Sequence, residues 1–495
     1  MMFEKITPES AGISTRSIID FIKKLEKRGA SMHGILFMKG DKIFTEAYWK
    51  PFDKDFCHRM YSQTKSFVGI AIGLLQDEGK LSINDKIIDY FPEKVDGEVL
   101  HYHKELTIKD MLTMSTAGDS SPYWFFIEDK DRTHAYFNGN RPLHPSGTIW
   151  EYDSTGSQVL CSLVEKLAGK SLLAYMKEKI FDKMGVFGNA TVLKTRNEDS
   201  WGDSAMICTL RDIAAFGRLL MNNGVWNGES LISEQYVKEA TSKIANNAYA
   251  PHYSAYHQGY GYQIWRVSGN GFAFNGMGDQ LTICYPDKDL LFSCIADNQG
   301  TGIIREMIFQ TLEDEFVDKI KAEPIRENKT AQRELDKLIS SLTLFHVMGE
   351  EDSPIREEIN GKEYVCNENK MGITKFSFVF NDAKSGEFRY TNAQGDKVIP
   401  FGVNYNVFGK FPQFGYSNEH GGVVTTDGST YDDAVSFAWL KDNEILIYVQ
   451  IIDRYFGNMN ARFAFKGDEV YANFTKRAED FLKEYEGSLV GRVKT

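Results

Sequence analysis

The sequence predicts an α+β domain that builds one antiparallel sheet from its two ends, with helices inserted between them, followed by a β-rich barrel or sandwich. Three observations carry this reading. Strand signals occupy residues 34–49 and return over 262–296. Helical periodicity fills most of the 80–250 interval. Beyond about residue 345, short apolar runs alternate with Gly, Asn and Asp turns. A chain with strands at both ends and helices between them can close a single sheet around the insertion. The expected division is a first domain over 1–325, a linker over 326–340 and a β-rich domain over 341–495.

Each element has its own signal. Residues 34–49 read as two strands around the turn Lys39-Gly40-Asp41. A helix should begin near Ser62, because Phe67, Val68, Ile70, Ala71, Ile72, Leu74 and Leu75 leave it apolar almost all round and therefore buried. Gly79 stands where a C-terminal cap would stop it. Further helices are expected over 155–168, 171–184 and 209–221. The aromatic, His-, Asn- and Pro-rich stretch 119–148 reads as a long surface loop. Strands are expected at 262–267, 280–285 and 290–296. A helix should follow over about 302–320, with Ile304, Ile308, Leu312 and Phe316 on one face. Residues 321–335 are polar and lack an apolar pattern, hence the linker. Six short strands are expected after it, at 375–380, 387–392, 397–404, 434–440, 444–452 and 461–465.

Composition narrows the function classes. Of 495 residues, 42% are hydrophobic and 25% charged, which excludes global disorder and coiled-coil architecture. Lys and Arg number 57 against 69 Asp and Glu, a net charge of −12, so the chain is a poor polyanion binder and no nucleic-acid partner is expected. No apolar run reaches the roughly 18 residues a membrane helix needs, so no membrane association is expected. The N-terminal Met1-Met2-Phe3-Glu4-Lys5 has early charges and no apolar core of a signal peptide, which points to the cytoplasm. The six cysteines form no C-x-x-C pair and read as reduced, packed thiols. His101 and His103 are the nearest histidine pair, and neither H-E-x-x-H nor a phosphate-binding glycine loop is present. Neither a metal nor a cofactor is expected.

The chemistry concentrates at Tyr61-Ser62-Gln63-Thr64-Lys65, which opens the buried helix. In Ser-x-x-Lys the two side chains lie one turn apart on one face. The helix N-terminus offers free N–H groups and a dipole that favour developing negative charge at the serine. Losing water lowers the pKa expected of the lysine, which lets it act as a base toward the hydroxyl without a histidine. The same spacing also fits a capping serine followed by a solvated lysine. Two further segments accompany it. Tyr152-Asp153-Ser154 opens another apolar helix, and Phe274-Asn275-Gly276-Met277-Gly278-Asp279-Gln280 leads into a strand. A phenol beside a cationic lysine ionises more easily, so Tyr152 and Lys65 could relay one proton; taken alone, Tyr152 reads rather as a buried core tyrosine.

With these segments in this order, the chain resembles the serine β-lactamase and penicillin-recognising superfamily, in particular its class C β-lactamase and esterase-like branch. Thr7-Pro8-Glu9-Ser10-Ala11-Gly12 is similar to that branch's opening. Residues 107–114 resemble its helix with a Leu-Thr pair, and 202–212 its later glycine-rich turn and helix. The likeness spans roughly residues 5–320. It implies Ser62 as the acylated nucleophile, Lys65 as its base and Tyr152 as the proton shuttle. It also implies an oxyanion hole from the backbone N–H groups of Ser62 and Met277, and hydrolysis without a metal.

Two positions depart from the family pattern. Ser154 replaces the asparagine of the tyrosine motif, and a hydroxyl cannot make the amide's two-sided contact. Phe274-Asn275-Gly276 replaces a triplet whose cation binds the substrate carboxylate in lactamases and peptidases. Ser154, Phe274, Asn275 and Gly276 are therefore expected substrate-binding positions with altered preference. Tyr123 and Trp124, in the long loop, are further candidate contacts. The implied reaction is cleavage of a small ester, amide or peptide-like bond. The alternatives are a β-lactamase or DD-peptidase, and a binding module that kept the fold but lost turnover.

Overall fold

The computed structural model describes residues 3–118, 129–139, 142–248, 258–300, 302–421, 427–478, 482 and 485–494. It divides into two compact units. One comprises Met1–Thr343 with Glu419–Gly421, the other Leu344–Asn418 with Gly422–Thr495.

The first unit contains the expected sheet. Its seven strands run in the order Glu4–Lys5, Lys42–Tyr48, Met32–Lys39, Leu290–Ala296, Gln280–Tyr285, Gly271–Gly276 and Trp265–Val267. All neighbours are antiparallel except the short first strand. The two ends of the unit meet at the pairing of Met32–Lys39 with Leu290–Ala296, where Phe37 stands opposite Phe292. Both faces of the sheet are covered, so Met32–Lys39 is apolar nearly throughout rather than alternating. Leu36 and Met38 enter the core beneath the inserted helices, while Ile35 and Phe37 enter the opposite core.

The helix Thr64–Asp77 lies in the first of these cores, with every residue from Thr64 to Leu75 buried. It ends as its sequence directs. Gly79 takes a φ of +70°, and Lys80 N–H reaches back to Leu75 O at 3.0 Å. Ser154–Ala168 and Leu210–Met221 form as expected, and both the 171–184 and the 302–320 stretches carry a π-helical turn.

Two expectations need correction. Residues 119–148 are not loop throughout, because Arg132–Gly139 is helical and buries Thr133, Ala135, Tyr136 and Phe137. Tyr136 stacks on His103, and Phe137 packs near Phe91. The stretch read as a linker contains the helix Lys329–Ser341. Asn328 caps it, Ala331 and Leu335 are buried, and Glu334 bonds Arg16 at 2.8 Å and Lys23 at 3.0 Å. One apolar residue per turn suffices because the helix Thr15–Lys27 supplies the rest of the interface.

The second unit is a closed nine-stranded barrel, not a sandwich. Its strands follow each other in antiparallel order from Tyr364–Cys366 to Gly487–Val493, and Gly402↔Ser436 and Val403↔Phe437 close the ring in parallel. A tenth strand, Val407–Lys410, pairs alongside Asp432–Lys441. Phe376, Phe378, Phe388, Phe463 and Phe474 fill the interior. Among the described residues, no helix of the chain is long and apolar enough to cross a membrane.

One buried pair makes stability in the first unit depend on pH. His33 Nδ1 lies 2.8 Å from His58 Nε2, and the His33 ring stacks on Phe52 at 4.0 Å. Burial pushes both imidazoles well down, His58 to about 3. The unfolded chain therefore takes up these protons first as pH falls. The stability the pair contributes is complete above about pH 6.5 and is lost below it, at up to about 1.4 kcal/mol per pH unit per group. Urea unfolding between pH 7 and 5 should show a smaller acid loss in His58→Gln than in wild type; equal slopes would contradict this.

Candidate active site

Ser62 is placed by a tight turn. Strand His58–Arg59 runs into the 3-10 turn Tyr61–Gln63, which continues as the helix Thr64–Asp77. Tyr61 holds a φ of +49°, a conformation that costs a bulky side chain of order 1–2 kcal/mol. Its surroundings hold it there. The ring is buried beneath the Arg59 guanidinium at 4.3 Å, and Met60 N–H bonds Met206 O at 2.8 Å. The Thr64 hydroxyl donates to Tyr61 O at 2.6 Å and accepts from Met206 N–H at 3.0 Å. Ser62 is left half-buried at the head of the helix.

Lys65 follows one turn later and is 1% exposed. Its Nζ donates to Ser62 Oγ at 3.1 Å and to Asp203 O at 2.8 Å, and lies 3.6 Å from Asp203 Oδ2. It also sits 5.1 Å from the centre of the Tyr152 ring. Asp203 is fully buried, with Arg132 Nη1 at 4.0 Å from its second oxygen. Burial pushes this carboxyl up to about 6, against the pull of Lys65, Arg132 and Arg59.

Tyr152 reaches the lysine from a distant segment. Its ring stacks on Trp265 at 5.5 Å, within an aromatic group that includes Trp150 and Tyr260. The next residue, Asp153, caps the helix Ser154–Ala168. It accepts from Gly156 N–H at 2.8 Å and from the hydroxyls of Thr155 at 2.6 Å and Thr116 at 3.0 Å. Tyr152 is thus anchored by a cap on one side and a ring stack on the other. Ser154 is the first residue of that helix and half-buried.

The third segment differs from expectation in one residue. Phe274 lies on the strand Gly271–Gly276 with its side chain fully buried, 5.4 Å from the Phe216 ring. It alternates with Phe272 into the core and presents no surface to a ligand, so its expected substrate contact is withdrawn. Asn275 is partly buried. At Gly276 the strand crosses the serine turn so closely that a Cβ would stand 2.3 Å from Met60 O. Met277, 36% exposed, heads the following turn, where Gly278 and Asp279 take positive φ. Gln280 Nε2 fixes that turn by donating to Met277 O at 2.8 Å and Ala296 O at 2.6 Å. Arg305 adds a 2.7 Å bond to Asp279. Tyr123 and Trp124 lie outside the described residues.

The structure therefore brings Ser62, Lys65 and Tyr152 together and sets the 274–280 hairpin against the serine turn. Sequence reasoning missed Asp203 as a neighbour of the lysine, and Arg132 and Arg59 as partners of its carboxylate. Asp203 is 138 positions from Lys65, and no spacing rule links them. Among the described residues there is no group of three or more His, Cys, Asp or Glu side chains that could hold a metal.

Known proteins resemble the chain in sequence and in fold. The sequence model of the family described as Beta-lactamase matches residues 18–302. The 6-aminohexanoate-dimer hydrolase of Paenarthrobacter ureafaciens is 23% identical over 282 residues, covering 53% of this chain and 72% of the relative. A Bacillus anthracis structure provisionally named 6-aminohexanoate-dimer hydrolase aligns over 63% of this chain and 86% of its own, with 17% identity and a TM-score of 0.51. The octameric penicillin-binding protein homologue of Pyrococcus abyssi aligns over 96% of this chain and 99% of its own, with 16% identity and a TM-score of 0.50. The last likeness of fold extends through the barrel.

The crossing at Gly276 is directly testable. Gly276→Ala forces a methyl group into the Met60 carbonyl, and overpacking of this kind costs about 1–3 kcal/mol. The melting temperature should fall by several degrees, whereas an unchanged melt would show that the strand can step aside freely.

Proposed function

The chain belongs to the Beta-lactamase family, whose model matches more than half of it, and from that premise we propose a serine hydrolase that cleaves a small ester, amide or peptide-like bond through an acyl-enzyme on Ser62. The observation that carries this reading is the 3.1 Å contact between Ser62 Oγ and the Nζ of a lysine withdrawn from water. As a neutral amine, Lys65 takes the hydroxyl proton while Oγ bonds to the substrate carbonyl carbon. The backbone N–H groups of Ser62 and Met277 receive the developing oxyanion, and each such donor is worth about 10²–10³ in rate. Collapse breaks the bond to the leaving alcohol or amine, which takes its proton from Lys65 by way of Tyr152. Water then attacks the ester with the same groups in reverse, restoring Ser62.

Two observations bear on substrate. A buried phenylalanine stands where lactamases and DD-peptidases carry a cation for the substrate carboxylate, which weighs against β-lactams and D-Ala-D-Ala peptides. The curated relative named for hydrolysis of a 6-aminohexanoate dimer favours an amide among the three bond types. The helix dipole at Ser62 and the buried lysine serve any acyl group, so they set no preference among the three bond types.

Intact-protein mass spectrometry after incubation with esters, amides and β-lactams tests the reading. An acyl adduct should appear on wild type and be absent from Ser62→Ala. Tyr152→Phe should lower kcat about 10²–10⁴-fold on the substrate so identified, with the fold retained. A wild-type protein that takes up neither an acyl group nor a fluorophosphonate at Ser62 would favour the binding-module alternative and end this assignment.

A further inference from the structure

The proposed base is held on its far side by a residue outside the three motifs. Asp203 gives Lys65 two contacts, through its main-chain carbonyl at 2.8 Å and its carboxylate at 3.6 Å. The turn that carries it is fixed from two directions. Gln158, on the helix Ser154–Ala168, accepts from Gly202 N–H at 2.9 Å and donates to Ser200 O at 2.9 Å. A Cβ at Gly202 would stand 2.2 Å from Cys161 Sγ, so the backbone lies directly on that helix. From the other side, Arg59 donates to Ser204 O at 3.0 Å and Ser204 Oγ at 3.2 Å. The Asp203 carbonyl is therefore preset, and the lysine adapts to it.

The carboxylate is unusual for a buried acid. Among the described residues neither of its oxygens receives a hydrogen bond. Its compensation from other residues is ionic, from Lys65 on the serine helix, Arg132 on the helix Arg132–Gly139 and Arg59 on the adjoining strand. The Cys161 thiol faces it from the helix Ser154–Ala168 and is held neutral by burial. Arg132 and Arg59 also lie over the Trp201 ring, at 4.9 and 4.6 Å. A carboxylate without its own hydrogen bonds is an expensive group to bury for packing alone.

We propose that Asp203 is a positioning residue for Lys65, aiming its Nζ at Ser62 Oγ and serving as counter-ion when the lysine carries the serine proton. This rests on the serine-hydrolase reading above. The net charge created on Lys65 as the hydroxyl is deprotonated then forms beside a fixed negative group instead of in an apolar cleft. A carboxylate that titrates near neutrality would also make serine reactivity fall on the acid side as Asp203 takes up a proton.

The test uses the full chain and needs no known substrate. The second-order rate of fluorophosphonate labelling at Ser62 is measured from pH 5 to 9 in wild type, Asp203→Asn and Asp203→Glu, with thermal melts in parallel. Asp203→Asn should label about 100-fold more slowly, with the acid limb of the profile displaced by about one pH unit or more. Asp203→Glu, which keeps the charge, should recover part of the rate and retain the limb. Equal rates and profiles in folded Asp203→Asn and wild type would overturn the proposal. So would a slower rate on an undisplaced limb, which is the mark of a merely structural role. If Asp203→Asn does not fold, wild type and Asp203→Glu decide: an acid limb in both profiles with a reduced rate in Asp203→Glu supports the proposal, and a flat wild-type profile or a wild-type rate in Asp203→Glu overturns it. Failure of wild type itself to label sinks the hydrolase reading and is thereby distinguished from failure of this one.

Discussion

The first unit is organised around an amine that has been taken out of water. Lys65 is 1% exposed, and an amine that takes up a proton in that setting needs its donors satisfied and its charge answered. The protein does both with groups from three separate stretches. Ser62 comes from the same helix, Asp203 from a turn pinned between a helix and a strand, and Tyr152 from the cap of another helix. Each provider sits at the end of a regular element, where the backbone can be fixed to tenths of an ångström without freezing a long loop. The apolar helix Thr64–Asp77 supplies the other half of the arrangement, because its burial is what removes the solvent.

The strain at Tyr61 follows from the same demand. Presenting a serine at the head of a buried helix requires a sharp reversal after Met60. The reversal is held by hydrogen bonds to Met206 and Thr64 and by the Arg59 guanidinium over the ring. These interactions together outweigh a cost of order 1–2 kcal/mol for the left-handed residue. Gly276 lets a sheet strand pass directly over this reversal. The serine turn is therefore held between that strand and the helix it opens.

How much of this was readable in advance depended on whether a signal was local. The buried helix and its Gly79 stop were legible because apolar residues and a cap lie within one window. The sheet was legible because its strands are apolar runs, and the order of the motifs carried the family resemblance. The helix Arg132–Gly139 was not, since the face of Thr133, Tyr136 and Phe137 is a single turn headed by a polar residue, and packing near His103 and Phe91 decides its state. Lys329–Ser341 was hidden by its charges, which pair with the first helix of the chain. The β-rich unit read as barrel or sandwich because closure depends on Gly402 meeting Ser436, a register between strands that alternation within each cannot express. Phe274 was taken as a motif position although the i, i+2 spacing with Phe272 already marked it as core. Asp203 lay within the glycine-rich stretch 202–212, but nothing local tied its side chain to Lys65.

The central pairing of the sheet sets an order of events during synthesis. Phe37 and Phe292 face each other across strands separated by the whole helical insertion. The early hairpin Met32–Lys39 and Lys42–Tyr48 can form soon after it leaves the ribosome, but it then waits with an apolar, unpaired edge until the later strands arrive. Contacts so distant along the chain form slowly, and the intermediate that awaits them is adhesive. Until residues 290–296 have been made, the apolar strand Met32–Lys39 has one edge without its native partner.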